Sequence, residues 1–183
     1  FCWKDHIARF GFQGEKADRI AQAMMLGPIW PKLDLGLESD EDILEQFVAH
    51  TPELEQEIRL VFSDLSTIVR EYEGSVDWIE SLKARGYHTY YLSNYGERIR
   101  REASKELSFL SHMDGGIMSY TVHLAKPDPA IYQTLLDRYG LKAEECVFLD
   151  DTVRNVEAAQ ALGIAGIVVT SQEQAKKELE TLL

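Results

Sequence analysis

The chain has 183 residues, 45% of them hydrophobic, enough to bury an ordinary core and to hold one domain with a small insertion. Its 19 basic and 31 acidic residues leave a formal charge of -12, which repels polyanions and makes nucleic acid and acidic membrane surfaces poor partners. No run approaches the roughly 18 apolar residues that a membrane span needs. A small phosphorylated metabolite remains admissible where local positive charge offsets the global field.

Cys2 and Cys146 fit no Cys-x-x-Cys pattern, which favours free thiols in a reducing compartment. No basic segment is followed by an apolar one in the manner of a secretory signal, so the expected location is the cytoplasm. The first residue is Phe1 rather than Met, and the reading is that further residues precede it. Oligomeric state is not legible.

Residues 1–72 read as helical. Ile7 and Phe10 mark a first amphipathic segment; Ile20, Met24 and Met25 mark another, stopped by Gly27-Pro28. Ile43, Leu44, Phe47 and Val48 form a stripe, and Leu54, Ile58, Val61 and Leu65 repeat it after Pro52. Ordinary helix packing accounts for these stripes. Near Glu73-Gly74 the period changes. Val76, Ile79 and Leu82 make a helical face closed by Gly86, and residues 87–92 read as a strand. Ile131, Leu135, Leu136 and Tyr139 make another face, closed by Gly140. A strand over 146–149, a helix over 153–162 and a strand over 164–169 follow, and Ser171-x-x-Gln174 has the form of a capping box for a terminal helix. Strands alternating with helices imply an α/β fold, a Rossmann-like parallel sheet with helices on both faces, carrying a small all-helical cap. The expected division is a cap over 1–72 and a core over 73–183.

In parallel sheets of this kind ligands bind beyond the carboxyl ends of the strands. Three features fall there. Ser93-Asn94 ends the apolar run Tyr90-Tyr91-Leu92, Asp150-Asp151 ends Val147-Phe148-Leu149, and Lys126-Pro127 lies in a loop that opens a helix at Asp128-Pro129. Each alone has a plainer reading, as a turn, a solvated charge or a helix cap. Together, and in this order, they point to one site. Adjacent acids leave a strand tip in different directions, so one can meet a metal directly while the other works from behind it.

At these residues the chain resembles the haloacid dehalogenase superfamily, most closely its phosphatase branch with a small helical cap, a group that includes sugar-phosphate phosphatases and the phosphatase domain of epoxide hydrolases. Leu92-Ser93-Asn94 resembles the second motif of that family, Lys126-Pro127-Asp128-Pro129 the third, and Phe148-Leu149-Asp150-Asp151 with Asn155 the fourth. The resemblance implies that Ser93 and the backbone at Asn94 bind a transferring phosphoryl group and that Lys126 neutralises charge on it. It implies that Asp150 and Asp151 hold Mg²⁺. It also implies an attacking aspartate at the end of a first strand, and this sequence shows no such strand. Asp40-Glu41-Asp42 reads as a helix start, where acids suit the dipole, and Asp34-Leu35-Gly36 lacks an apolar run before it. The first strand and its nucleophile are therefore expected upstream of Phe1.

The expected activity is Mg²⁺-dependent hydrolysis of a small phosphomonoester through a phosphoaspartyl intermediate. A phosphomutase of the same superfamily remains open, and so does a non-catalytic phosphate- or metal-binding protein if the chain begins at Phe1. The paired acids argue against the metal-free dehalogenase branch. The five histidines form no His-x-x-x-His spacing, which argues against zinc. Trp3, Trp30 and Tyr95 are candidates for a substrate cleft, Tyr95 because it follows Ser93-Asn94 directly.

Overall fold

A computed structural model describes the whole chain, Phe1–Leu183, as two compact units, Phe1–His123 and Leu124–Leu183. The first unit opens with five helices: α1 (Trp3–Arg9), α2 (Gly14–Ala23), α3 (Trp30–Leu35), α4 (Asp40–His50) and α5 (Glu55–Phe62). Their apolar stripes meet in one core that includes Ile7, Ile20, Met24, Ile43, Phe47, Ile58 and Phe62, each essentially inaccessible to solvent. Phe47 meets Phe62 edge to face at 5.9 Å, an arrangement aromatic quadrupoles favour. Ser39 starts α4 by accepting a hydrogen bond from the Asp42 amide, so the acids of Asp40-Glu41-Asp42 lie in a first helical turn as expected.

Helix α3 is absent from the sequence reading. It has six residues, carries Pro31 near its start and ends on Gly36, too short a segment to show a helical period. Gly36 adopts φ 62°, and a Cβ there would stand 2.8 Å from Tyr120 Cβ, so this turn requires glycine on both counts.

Helix α6 (Ser75–Ala84) leads into β1 (Tyr90–Ser93), then α7 (Glu97–Glu102) and β2 (Gly115–Met118). The strand read over 87–92 begins later than expected. Thr89 donates its amide to the Asp114 carboxylate at 2.9 Å, and the ladder starts at Tyr90. Strand β2 escaped the sequence reading because Gly115-Gly116 carries no strand propensity. Gly116 is nonetheless what the pairing demands, since a Cβ there would lie 2.2 Å from the Tyr91 carbonyl oxygen.

In the second unit α8 (Pro129–Tyr139), β3 (Val147–Asp150), α9 (Val153–Ala161), β4 (Ala165–Val168) and α10 (Gln172–Leu179) follow in order. Asp128 caps α8 by accepting the Ala130 amide, with Pro129 in the first helical position. The capping box at Ser171 and Gln174 is formed with both of its reciprocal bonds. The four strands pair in parallel, β1 with β2 and β3 with β4, so strand, helix and strand alternate as the sequence implies. No helix is long and apolar enough to cross a membrane.

Candidate functional site

Strand β3 ends on Asp150, which lies opposite Val168 in the ladder and is 9% exposed. An isolated carboxylate that deeply placed would be costly, and the fold satisfies it from three directions. Lys126 Nζ donates to Oδ2 at 2.6 Å, and Oδ1 accepts the Thr152 amide at 2.8 Å and the Asn155 side-chain amide at 3.0 Å. The two charged side chains are 9% and 7% exposed, so the ion pair is buried and only weakly screened. Lys126 also lies over the face of Phe148, 5.4 Å from the ring centroid.

Each partner arrives for a local reason. The Asp150 carboxylate folds back over the first turn of α9, taking the amide of Thr152, the residue before the helix. Asn155 follows one turn on and presents its side chain to the same oxygen. Asn155 is itself held. Tyr132 of α8 donates its hydroxyl to the Asn155 carbonyl at 2.8 Å and meets Phe148 edge to face at 5.4 Å. Burial raises the Tyr132 phenol above its ordinary value, with the Asp150 charge adding to the effect. Lys126 precedes a cis peptide bond to Pro127, and Asp128-Pro129 then starts α8.

Asp151 is exposed and accepts a bond from the Thr152 hydroxyl at 3.2 Å. The two adjacent acids thus have different surroundings, one fixed and buried, the other solvent-facing. No cluster of three or more His, Cys, Asp or Glu side chains exists that would enclose a metal by itself.

Ser93 and Asn94 belong to the first unit, both half-buried at the carboxyl end of β1, where Ser93 pairs with Met118. The turn that carries them is pinned by a residue the sequence reading missed. Ser119, fully buried just after β2, accepts the Tyr95 amide at 2.8 Å and donates to the Asp34 carbonyl at 2.5 Å. A lone serine after Gly-Ile-Met gives no signal of this; only the pairing of β1 with β2 brings it under Tyr95. His123, the one non-glycine residue with positive φ, bonds the Leu35 carbonyl through Nδ1 at 2.8 Å and so ties the same loop to α3. Of the other cleft candidates, Trp30 is buried in the helical core and Trp3 packs against it, whereas Tyr95 packs on that core and on the smaller cluster of Leu107, Leu110 and Met118.

The chain is similar to several known proteins. Over 162 residues the chain is 32% identical to acyl-CoA dehydrogenase family member 10 of Mus musculus, covering 86% of this chain and 15% of that protein. It is 36% identical over 104 residues to bifunctional epoxide hydrolase 2 of Sus scrofa, covering 55% of this chain and 19% of the relative. With the phosphorylated carbohydrates phosphatase of Thermotoga maritima the identity is 30% over 142 residues, 76% of this chain and 63% of that one. The chain therefore spans less than a fifth of the first two relatives and under two thirds of the third. A HAD-family enzyme of Bacteroides thetaiotaomicron has the same fold, with a TM-score of 0.71 at 20% identity, covering 96% of this chain and 88% of that one. The model of the haloacid dehalogenase-like hydrolases matches residues 12–163, most of the sequence and all three motif segments, and the chain belongs to that family.

Proposed function

We propose that this chain belongs to a Mg²⁺-dependent phosphomonoesterase, with residues 1–72 as its helical cap and 73–183 as its hydrolase core. The observation that carries the reading is the buried Lys126–Asp150 pair at the tip of β3, with solvent-facing Asp151 beside it. The donor set suits Mg²⁺, a hard cation that prefers oxygen and is typically held by one or two carboxylates together with substrate phosphate. Asp150, oriented by Asn155 and the Thr152 amide, and Asp151 would hold it; when bound it would offset charge on the phosphoryl oxygens. A fold neighbour from Bacteroides thetaiotaomicron has been crystallised with magnesium and inorganic phosphate, and a relative from Thermotoga maritima is named for phosphorylated carbohydrates.

Lys126 supplies a fixed positive charge for the phosphoryl group in a chain that is otherwise strongly acidic. Ser93 and the Asn94 backbone donate to its oxygens. The attacking aspartate lies outside residues 1–183 in this reading, because Asp40 and Asp42 sit in the first turn of α4 and Asp34 sits in α3, none of them at a strand end. Attack by that carboxylate on phosphorus forms an acyl phosphate and releases the alcohol; water then hydrolyses the acyl phosphate, replacing one difficult displacement by two easier ones.

The test is phosphate release from an aryl phosphate by the full-length protein, with Mg²⁺ and after chelation. Turnover should require the metal and fall by roughly a hundredfold or more in Asp150→Asn and Lys126→Ala, the scale for removing a group that stabilises transition-state charge. Asp151→Asn, an exposed substitution that leaves the fold intact, should raise the Mg²⁺ concentration needed for half-maximal turnover. Metal-independent turnover, or indifference to all three substitutions, would overturn the reading.

A further inference from the structure

Asn155 is 7% exposed, and its side chain is held at one end only: Nδ2 donates to the Asp150 carboxylate, while Oδ1, also buried, has no hydrogen-bond partner. A side-chain amide with a single bond takes its direction from the backbone that carries it. That backbone is held by Tyr132. This residue is 1% exposed, lies in the first turn of α8, and donates its hydroxyl to the Asn155 carbonyl at 2.8 Å.

The bond is not needed to satisfy the carbonyl. Asn155 lies within α9, where a carbonyl already accepts the amide four residues on, and a carbonyl oxygen has a second lone pair to spare. Nor is the hydroxyl needed to fill space, because phenylalanine would place the same ring there. What the hydroxyl adds is a fixed distance between α8 and the first turn of α9, the turn from which Asn155 reaches Asp150.

The ring serves the other member of the ion pair. It meets Phe148 edge to face at 5.4 Å, and Lys126 Nζ lies over the Phe148 face, 5.4 Å from its centroid. Phe148 and Asp150 are two residues apart on β3 and so share one side of the strand, which lets Lys126 lie over the ring and reach the carboxylate. Both supports of the pair therefore meet at one buried side chain. We propose that Tyr132 is a positioning residue for Lys126 and Asp150, acting on Asp150 through the Asn155 backbone and on Lys126 through the Phe148 ring, without touching substrate. Its effect on turnover rests on the phosphatase reading; its effect on the pair rests on these contacts alone.

Tyr132→Phe in the full-length protein removes the hydroxyl and keeps the ring. The Mg²⁺ concentration needed for half-maximal release of phosphate from an aryl phosphate should rise by roughly tenfold, the low end of the usual range for a group that orients a metal ligand. KM for the aryl phosphate at saturating Mg²⁺ should stay within about twofold, because Lys126 keeps the ring beneath it. A lower urea midpoint with an unaltered Mg²⁺ requirement would mean that the hydroxyl only joins two helices, and it would overturn the proposal. A second measurement needs neither metal nor turnover: the urea stabilities of Tyr132→Phe, Lys126→Ala and the double variant. If the hydroxyl acts on the pair, the double variant loses less than the sum of the two single losses; additive losses would overturn the proposal. If the parent protein releases no phosphate, the phosphatase reading fails, and the comparison of stabilities alone then decides whether Tyr132 supports the pair.

Discussion

Lys126 and Asp150 are each other's principal counter-charge, and both are withdrawn from water. Removing one member of such a pair leaves an uncompensated buried charge, which typically costs about 3–5 kcal/mol. Lys126→Ala should therefore lower stability by about 3 kcal/mol, read from urea denaturation, besides its effect on turnover. Asp151→Asn provides the contrast. Its side chain is exposed and bonded only to the neighbouring Thr152, so the stability change should stay within about 0.5 kcal/mol in the same measurement. The adjacent acids look equivalent in the sequence and have opposite environments in the fold. What separates them is which side of the strand tip each one leaves.

At the scale of elements, the pairing of β1 with β2 depends on Gly116, whose missing side chain lets the Tyr91 carbonyl and ring approach. Gly116→Ala forces a Cβ into space occupied by backbone, which cannot be relieved by turning a side chain. The expected cost is about 3 kcal/mol or more, visible as a lower melting temperature. Because Ser93 and Asn94 leave the end of β1, turnover per folded molecule should fall as well. The terminal helix offers a milder test. Ser171→Ala removes the acceptor of the Gln174 amide and should cost about 1 kcal/mol, the usual value of an N-cap. The capping box was legible from four residues because its bonds are local. Strand β2 was not, because a Gly-Gly strand is selected by its neighbour and not by its own propensity.

At the scale of the whole molecule, acid should weaken the fold through His6. This imidazole is fully buried in the helical core between α1 and the segment after α5. The Val61 carbonyl can only accept, so Nε2 carries the proton and donates at 3.3 Å, and Nδ1 accepts from the Thr67 hydroxyl at 2.9 Å. Burial holds the imidazole below its ordinary value of 6.5, the Val61 bond opposes this, Arg9 lowers it further, and the Asp64 and Glu102 carboxylates act in the opposite sense. The unfolded chain therefore binds more protons below that ordinary value than the folded one does. This contribution to stability is fully present above pH 6.5 and is lost as the pH falls below it. Urea midpoints measured from pH 7.5 down to pH 5 should decline in the parent protein, and the decline should be shallower in His6→Gln.

The sequence by itself determined the alternation of strand and helix, the helical character of the chain up to Phe62, the helix caps and the three motif segments. All of these rest on periodicity and on contacts between residues close along the chain. Tertiary structure alone decided that Lys126 reaches Asp150, 24 positions further along the chain, that Asp150 is buried and Asp151 is not, and that Ser119 lies beneath Tyr95. Burial and long-range hydrogen bonding depend on which segments the pairing of strands brings side by side, and no single segment carries that information.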